Sequence, residues 1–151
     1  MAKLFITLCT RNGRPYFGSI INGQTDLSLI GRIVEFEARK LSKKEQEVRL
    51  EEWIILPNHV HLLLSGCNGG MRKEIKRFKY AVKNWTKLCG FDFHWRLRIF
   101  HYPIQDEPEL KQPKWYFRKK SLAWESDLLN QENQLNLSQE LKSTMVYHKI
   151  I

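Results

Sequence analysis

Apolar and β-branched residues are grouped along the chain in short runs that are typical of strands. A first run ends at the polar stretch Arg11-Asn12-Gly13-Arg14-Pro15, and a later pair of runs is separated by Pro57-Asn58. Such polar, Gly- and Pro-containing breaks favour turns. The pattern therefore predicts four core strands, at residues 4–10, 48–56, 59–65 and 98–104. A further hairpin is expected at residues 16–21, because Asn22-Gly23 supplies the two positive φ values of a tight primed turn.

Helical spacing of apolar residues is found in two other segments. Residues 28–40 carry apolar side chains every three or four positions, which predicts a helix. Residues 71–88 show the same spacing in one stripe, at Met71, Ile75, Phe78, Val82, Trp85 and Leu88. A last helix is expected within residues 106–124. The polar, Asn/Gln-rich residues 128–151 are interpreted as a C-terminal tail after one domain of residues 1–127.

The order of these elements predicts the fold class. Strand, helix, strand, strand, helix, strand is the α+β, ferredoxin-like split βαβ plan. It predicts a sandwich of one antiparallel sheet with two helices on one face, followed by the C-terminal helix. The other face of the sheet would then be open to carry a site.

Positive charge is concentrated in one third of the sequence. The 151 residues carry a formal net charge of +9 and a pI of about 9.6. Residues 70–120 hold 14 of the 25 Lys and Arg residues and only 5 of the 16 Asp and Glu residues. This indicates a polyanionic partner such as nucleic acid, with a basic solubilising face as the alternative. The candidate contacts on the second helix are Arg72, Lys73, Lys76, Arg77, Lys79, Lys83 and Lys87.

Several classes of protein are disfavoured by the sequence. No apolar run approaches the ~20 residues that a membrane span needs. No signal peptide is expected at the N-terminus, and the chain is interpreted as cytoplasmic. The odd number of cysteines lacks paired zinc-site spacing, so Cys9, Cys67 and Cys89 are expected to be reduced, small, buried side chains.

Two histidines give the clearest candidate chemistry. His59 and His61 are separated by one residue on a predicted strand, so they share a face while Val60 and Leu62 point to the other. Two adjacent imidazoles can hold a divalent cation. The alternative is a pair of structural histidines, each with its own hydrogen-bond partners. The otherwise apolar strand favours the metal site, because two imidazoles in a core would both need partners.

The histidine motif and several other segments of the sequence together resemble a known family. His-hydrophobic-His after Pro-Asn is similar to the signature of HUH-type single-strand nucleases, and the surrounding residues resemble the tyrosine transposases of small insertion sequences and their REP-associated relatives. The resemblance covers about residues 4–127. It rests on residues 8–12, 17–18, 78–82, Trp95, 100–106 and 116–125, in that order.

This resemblance implies an activity, a metal and a partner. The activity is that of a single-strand DNA transposase or nickase, which acts by metal-assisted transesterification. Tyr116 would be the nucleophile and form a 5′-phosphotyrosine, while His59 and His61 would hold Mg²⁺ or Mn²⁺. The implied partner is single-stranded, hairpin-forming DNA. Relatives of this kind include monomers and homodimers, so both states stay open.

The sequence departs from the family pattern near the tyrosine. The family has Asn or Gln as a third metal ligand one turn after it, where this chain has Lys120. A protonated ammonium has no lone pair and cannot bind a cation. Three alternatives stay open for Lys120. It would weaken metal binding, or its ammonium would supply positive charge to the phosphate, or its helix would lie away from the histidines. Ser121 and Pro113 also depart from the pattern, and His101 is a candidate neighbour of the site. A decayed or repurposed hairpin-binding protein is therefore the alternative function.

Overall fold

The computed structural model describes residues 2–43 and 47–104. Within these ranges the chain forms six strands and two helices: β1 Ala2–Cys9, β2 Gly18–Ile21, β3 Gln24–Leu27, α1 Leu29–Ser42, β4 Val48–Leu56, β5 His59–Gly66, α2 Asn68–Leu88 and β6 Phe100–Ile104. The predicted last helix at 106–124, with Tyr116 and Lys120, lies outside the described residues, as does the predicted tail at 128–151. No helix in the described ranges is long and apolar enough to cross a membrane.

Four strands form one antiparallel sheet in the order β4-β5-β1-β6. Among the described strands, β5 and β1 each have two neighbours, while β4 and β6 are edges. This is the strand order of the ferredoxin-like plan, so the predicted fold class is confirmed. Pro103 lies in the edge strand β6, where the missing N–H of a proline is tolerated.

The helices pack on one face of this sheet. Ile6 of β1 and Leu62 of β5 are directly opposite each other, and both side chains point towards the helices. Successive side chains along each strand alternate between the two faces of the sheet. They form a buried core with Val34 of α1 and with Phe78 and Val82 of α2. The next pair along, at positions 7 and 61, points to the opposite face. The single-residue alternation of β5 therefore decides which of its side chains meet the helices.

The predicted turn and the start of α1 are both present. Asn22 and Gly23 have φ values of 51° and 74°, which join β2 to β3 in a tight hairpin. Ser28 caps α1, because its hydroxyl accepts a hydrogen bond from the Gly31 amide at 3.1 Å. Gly31 also passes very close to the Phe17 carbonyl, where a β-carbon would lie only 2.1 Å from the oxygen. This contact fixes α1 against the chain that leads into β2.

Some predicted boundaries and one predicted helix face differ from the structure. Helix α2 begins at Asn68, three residues earlier than predicted, and β6 begins at Phe100. The apolar stripe of α2 is buried only as far as residue 82, because Trp85 and Leu88 are 47 % and 70 % exposed. Thr86, which the stripe omits, is buried instead and donates its hydroxyl hydrogen to the Lys83 carbonyl. At its C-terminal end, α2 therefore buries Thr86 in line with Phe78 and Val82, and Trp85 and Leu88 lie at the margin of this buried face.

The cysteines are all free, but only one is buried. Cys9 lies in β1 and is 5 % exposed, as predicted. Cys67 and Cys89 flank α2 at its two ends and are exposed. The prediction that they are buried apolar side chains is wrong, since helix ends lie at the surface of this sandwich.

A buried carboxylate in α1 leads to a test of stability. Glu37 is 1 % exposed. Among the described residues, its carboxylate forms an ion pair with the ammonium of Lys40, which lies 3.6 Å away. Burying a charge with so little compensation is unfavourable, whereas Lys40 stays half exposed without its partner. We expect Glu37→Met to raise the free energy of unfolding by about 1 kcal/mol in urea denaturation. Glu35→Met on the same helix is the control and should change it by less than about 0.5 kcal/mol. A less stable Glu37→Met variant would contradict this account.

Candidate functional site

The two histidines lie side by side at the centre of the sheet. His59 and His61 are in β5, which pairs with β4 on one side and with β1 on the other. Their side chains lie on the face away from the helices, with ring centroids 4.7 Å apart and ring planes at 77°. The prediction that they share one face, opposite Val60 and Leu62, is confirmed. Both imidazoles are thus placed by the same rigid strand.

His59 is oriented by the residue that precedes it. The Asn58 side-chain oxygen lies 2.8 Å from His59 Nδ1, and the Asn58 amide nitrogen donates to the Gly13 carbonyl at 3.0 Å. Asn58 is itself 3 % exposed. His59 therefore makes its Nδ1 contact to a side chain that is held from the other end.

His61 has a different partner on the neighbouring strand. Its Nδ1 lies 2.9 Å from the Thr7 hydroxyl, which is in the residue directly opposite in β1. The Phe5 ring packs beside the imidazole, with centroids 5.3 Å apart. A hydrogen bond at Nδ1 and an apolar neighbour are the environment that usually orients a metal-binding histidine, leaving Nε2 to the metal.

The histidine face of the sheet is not open to solvent, contrary to the prediction. His59 and His61 are both 0 % exposed, and Thr7, Leu63 and Ser65 on the same face are buried as well. A second apolar cluster lies there, formed by Phe5, Leu63 and Ile104 with Ile54 packed against it. The histidines are therefore inside the molecule, in a polar patch next to a small apolar cluster.

The other predicted site residues are not gathered at this point by the described part of the chain. Tyr116 and Lys120 lie outside the described residues. His101 is in β6 opposite Ile6, whose side chain points towards the helices, so His101 lies on the other face from His59. Within residues 2–43 and 47–104, no cluster of three His, Cys, Asp or Glu side chains is present. The described part of the chain thus contributes two imidazoles to the site.

The basic residues of α2 divide into two groups. The first group is exposed to solvent and consists of Arg72, Lys73, Lys76 and Lys87. Three of these residues, Arg72, Lys76 and Lys87, form a series along the helix. The spacings of four and eleven residues in that series place its members along one side of the helix, over about 22 Å at 1.5 Å per residue. Arg77 is paired with Glu74 at 2.9 Å, which offsets its charge. We call Arg72, Lys76 and Lys87 the exposed basic stripe.

Lys79 and Lys83 contact the chain that follows α2. The Lys79 ammonium donates to the Arg96 carbonyl at 3.4 Å. The Lys83 ammonium contacts the Phe93 carbonyl and lies 2.9 Å from His94 Nδ1. Burial lowers the pKa of Lys79 from its ordinary value. These two lysines hold residues 93–96 against the helix, so their charges are less accessible than those of the exposed basic stripe.

Sequence reasoning missed the residues that orient the histidines. The sequence pattern predicts only a turn at Asn58, although its position directly before His59 in Pro57-Asn58-His59 is a local signal. Thr7 gave no signal, because it is 54 residues away in the chain and meets His61 only through strand pairing.

Comparisons with known proteins support the fold. The chain is similar in structure to a REP-associated tyrosine transposase solved bound to a REP hairpin, with a TM-score of 0.55 and 17 % sequence identity, over 80 % of this chain and 67 % of that one. It is also 26 % identical over 149 residues to an uncharacterised protein of Haemophilus influenzae, covering 83 % of each chain. No family model matches. The predicted resemblance to tyrosine transposases is therefore confirmed at the level of the fold.

Proposed function

We propose that this protein is a tyrosine transposase-like enzyme that cleaves and rejoins hairpin-forming single-stranded DNA. The observation that carries the proposal is the pair His59 and His61, side by side on the central strand of a fold shared with a REP-associated tyrosine transposase. That solved relative is bound to a REP hairpin, which supports a hairpin as the partner of this chain. The exposed basic stripe supplies the charge that such a partner needs.

Two imidazoles can bind a divalent cation, and the sequence resemblance implies that this ion is Mg²⁺ or Mn²⁺, with oxygen atoms as its other ligands. Nδ1 of both rings has a hydrogen-bond partner, so Nε2 is the nitrogen through which each ring would bind the ion. His59 and His61 are the residues that would hold the ion. When bound there, it would polarise the scissile phosphate and neutralise its developing charge. Neutral imidazoles suit this task, because they leave the full charge of the cation facing the phosphate.

Tyr116 is proposed as the nucleophile, on the strength of the sequence resemblance. Its phenolic oxygen would form a bond to phosphorus while the bond from phosphorus to the 3′ oxygen breaks. The leaving oxygen takes up a proton and becomes a free 3′-hydroxyl, and the downstream strand stays attached as a 5′-phosphotyrosine. Joining is the reverse reaction with another 3′-hydroxyl, so no nucleotide cofactor is required.

Lys120 favours a second candidate function, a hairpin-binding protein that no longer cleaves. This position has Asn or Gln in the family that the sequence resembles, and an ammonium cannot replace that ligand. Such a protein would keep the fold and the exposed basic stripe but form no covalent intermediate.

A labelled-DNA assay distinguishes the two functions. The protein is incubated with a library of single-stranded DNA hairpins carrying unpaired flanks, with Mn²⁺ or with EDTA. The proposed enzyme should form a denaturant-resistant adduct with 3′-labelled DNA only when Mn²⁺ is present. DNA labelled at the 5′ end should instead be released as a shorter strand. Hairpin binding without any adduct would support the second function, and no binding in any condition would contradict both.

The exposed basic stripe should dominate the salt dependence of DNA binding. Each phosphate contact on single-stranded DNA contributes ~0.7 to the slope of log K against log salt. We therefore expect the triple change of Arg72, Lys76 and Lys87 to Ala to flatten the slope by about two units, as measured by fluorescence anisotropy. The matched control changes Arg32, Lys43 and Arg49 to Ala, which removes the same charge from exposed positions outside α2. Equal effects of the two triples would mean that only net charge matters.

A further inference from the structure

We propose that Asn58 is a positioning residue that fixes His59 in the tautomer with its proton on Nδ1. The consequence is that Nε2 always carries the lone pair, which is the state a divalent cation requires. The tautomer itself is independent of any activity, and only its use for metal binding rests on the proposed function.

The tautomer follows from the direction of the hydrogen bonds. The Gly13 carbonyl oxygen can only accept, so the end of the Asn58 amide that lies 3.0 Å from it must be the nitrogen. The other end, the Asn58 oxygen, then faces His59 Nδ1 at 2.8 Å. Because that oxygen has no hydrogen, Nδ1 must donate. In the opposite tautomer two lone pairs would meet at this distance inside the protein.

The Asn58 amide is held in a rigid frame. Its main-chain carbonyl accepts from the Thr10 amide at 2.9 Å and from the Thr10 hydroxyl at 3.1 Å. Next to it, the Pro57 carbonyl accepts from the Phe17 amide at 2.9 Å. The turn between β4 and β5 is therefore tied to the segment after β1, which also presents the Gly13 carbonyl. Gly13 has a φ of 65°, a left-handed conformation that suits glycine.

His61 provides an internal comparison. Its Nδ1 faces the Thr7 hydroxyl at 2.9 Å, and a hydroxyl can either donate or accept. Thr7 therefore does not impose a tautomer on His61, whereas Asn58 does impose one on His59. The two histidines should differ in how their tautomers respond to changes at these partners.

The tautomers can be read directly from the ring nitrogens. The full-length protein, labelled with ¹⁵N, is studied by long-range proton–nitrogen NMR at pH 8, above the ordinary imidazole pKa of about 6.5. Wild-type His59 should show a protonated Nδ1 and an unprotonated Nε2. A His59 ring with its proton on Nε2, or an even mixture of the two forms, would overturn the proposal without any variant being made.

Two variants separate positioning from a structural role. Asn58→Asp keeps an oxygen facing His59 Nδ1 but loses the donor to Gly13, so the tautomer should be retained. Asn58→Ala removes the acceptor, so His59 should become a mixture and Mn²⁺ affinity, measured by calorimetry, should fall by about 10- to 100-fold. Thr7→Ser is the control and should leave His59 unchanged. An unchanged His59 tautomer in Asn58→Ala would contradict the positioning role.

The same measurements distinguish the inference from the proposed function. A protonated Nδ1 at His59 that depends on Asn58, in a protein that binds no Mn²⁺, would support the positioning role and count against the metal-dependent enzyme. A tautomer that does not depend on Asn58, in a protein that still forms the DNA adduct with Mn²⁺, would do the reverse.

Discussion

Replacing Tyr116 by Phe should lower the yield of covalent protein–DNA adduct by at least about 10³-fold, as loss of the nucleophile does in other covalent enzymes. The change removes one oxygen atom and keeps the ring, so DNA binding through α2 should be unaffected. The measurement is the Mn²⁺-dependent adduct on 3′-labelled hairpin DNA, with anisotropy of the same DNA as a control for binding. Tyr80→Phe is the matched control and should leave the adduct yield unchanged. It removes the same oxygen atom from another tyrosine, which lies on α2 and is 71 % exposed.

Adduct formation by Tyr116→Phe at the wild-type level would show that Tyr116 is not the nucleophile. Two Lys120 variants in the same assay then distinguish the roles considered for this side chain. More adduct with Lys120→Asn, but not with Lys120→Ala, would mean that the natural lysine weakens the metal site. Less adduct with both would mean that the ammonium itself assists at the phosphate.

The double change of His59 and His61 to Ala should abolish high-affinity Mn²⁺ binding. These imidazoles are the paired donors that the described part of the chain brings together, and their rings are 4.7 Å apart. We expect no binding by calorimetry at Mn²⁺ concentrations up to ~100 times the wild-type midpoint. Loss of a ligand exceeds the 10- to 100-fold effect of changing a residue that only orients a ligand. Adduct formation should be lost in parallel.

The control for this experiment changes two other histidines. His94 contacts Asp92 and Lys83 at the surface, and His101 lies on the helix side of edge strand β6. The double change of His94 and His101 to Ala should therefore leave Mn²⁺ binding unchanged. If instead it abolishes binding while the His59 and His61 variant binds normally, the metal site has been assigned to the wrong histidines.

Burial also bears on how the histidine variants are interpreted. His59 and His61 are fully buried and each makes a hydrogen bond through Nδ1. Removing both rings leaves space inside the protein, so thermal unfolding must be measured alongside metal binding. The single variant His61→Gln keeps a polar side chain at this position and provides a less disruptive comparison.

The sequence by itself determined the order and type of the core elements. Alternation along β5 placed His59 and His61 on one face, and the Asn22-Gly23 pair determined the β2–β3 hairpin. These features depend on residues a few positions apart, where backbone geometry alone relates side-chain direction to spacing. The element order then restricted the topology to the ferredoxin-like plan, because connections in such folds follow few routes.

The tertiary structure decided what the pattern of α2 left open. The apolar stripe continues to Trp85 and Leu88, but those side chains are exposed, and the buried face at the end of α2 runs through Thr86 instead. Spacing shows which residues share a helix face, and it does not show where the layer beneath that face ends. Lys79 and Lys83 are a similar case, since their carbonyl partners come from residues beyond the helix.

The histidine site depends both on local sequence spacing and on the tertiary structure. The histidine pair and the adjacent Asn58 can be read from a few consecutive residues. The burial of the pair cannot, and neither can Thr7 as the partner of His61 or Gly13 as the partner of Asn58. Those partners are 54 and 45 residues away in the chain and arrive only when β1 and the turn after it pack beside β5. Local spacing therefore determined which chemical groups stand together, while the pairing of distant strands decided their hydrogen bonds, tautomer and access to solvent.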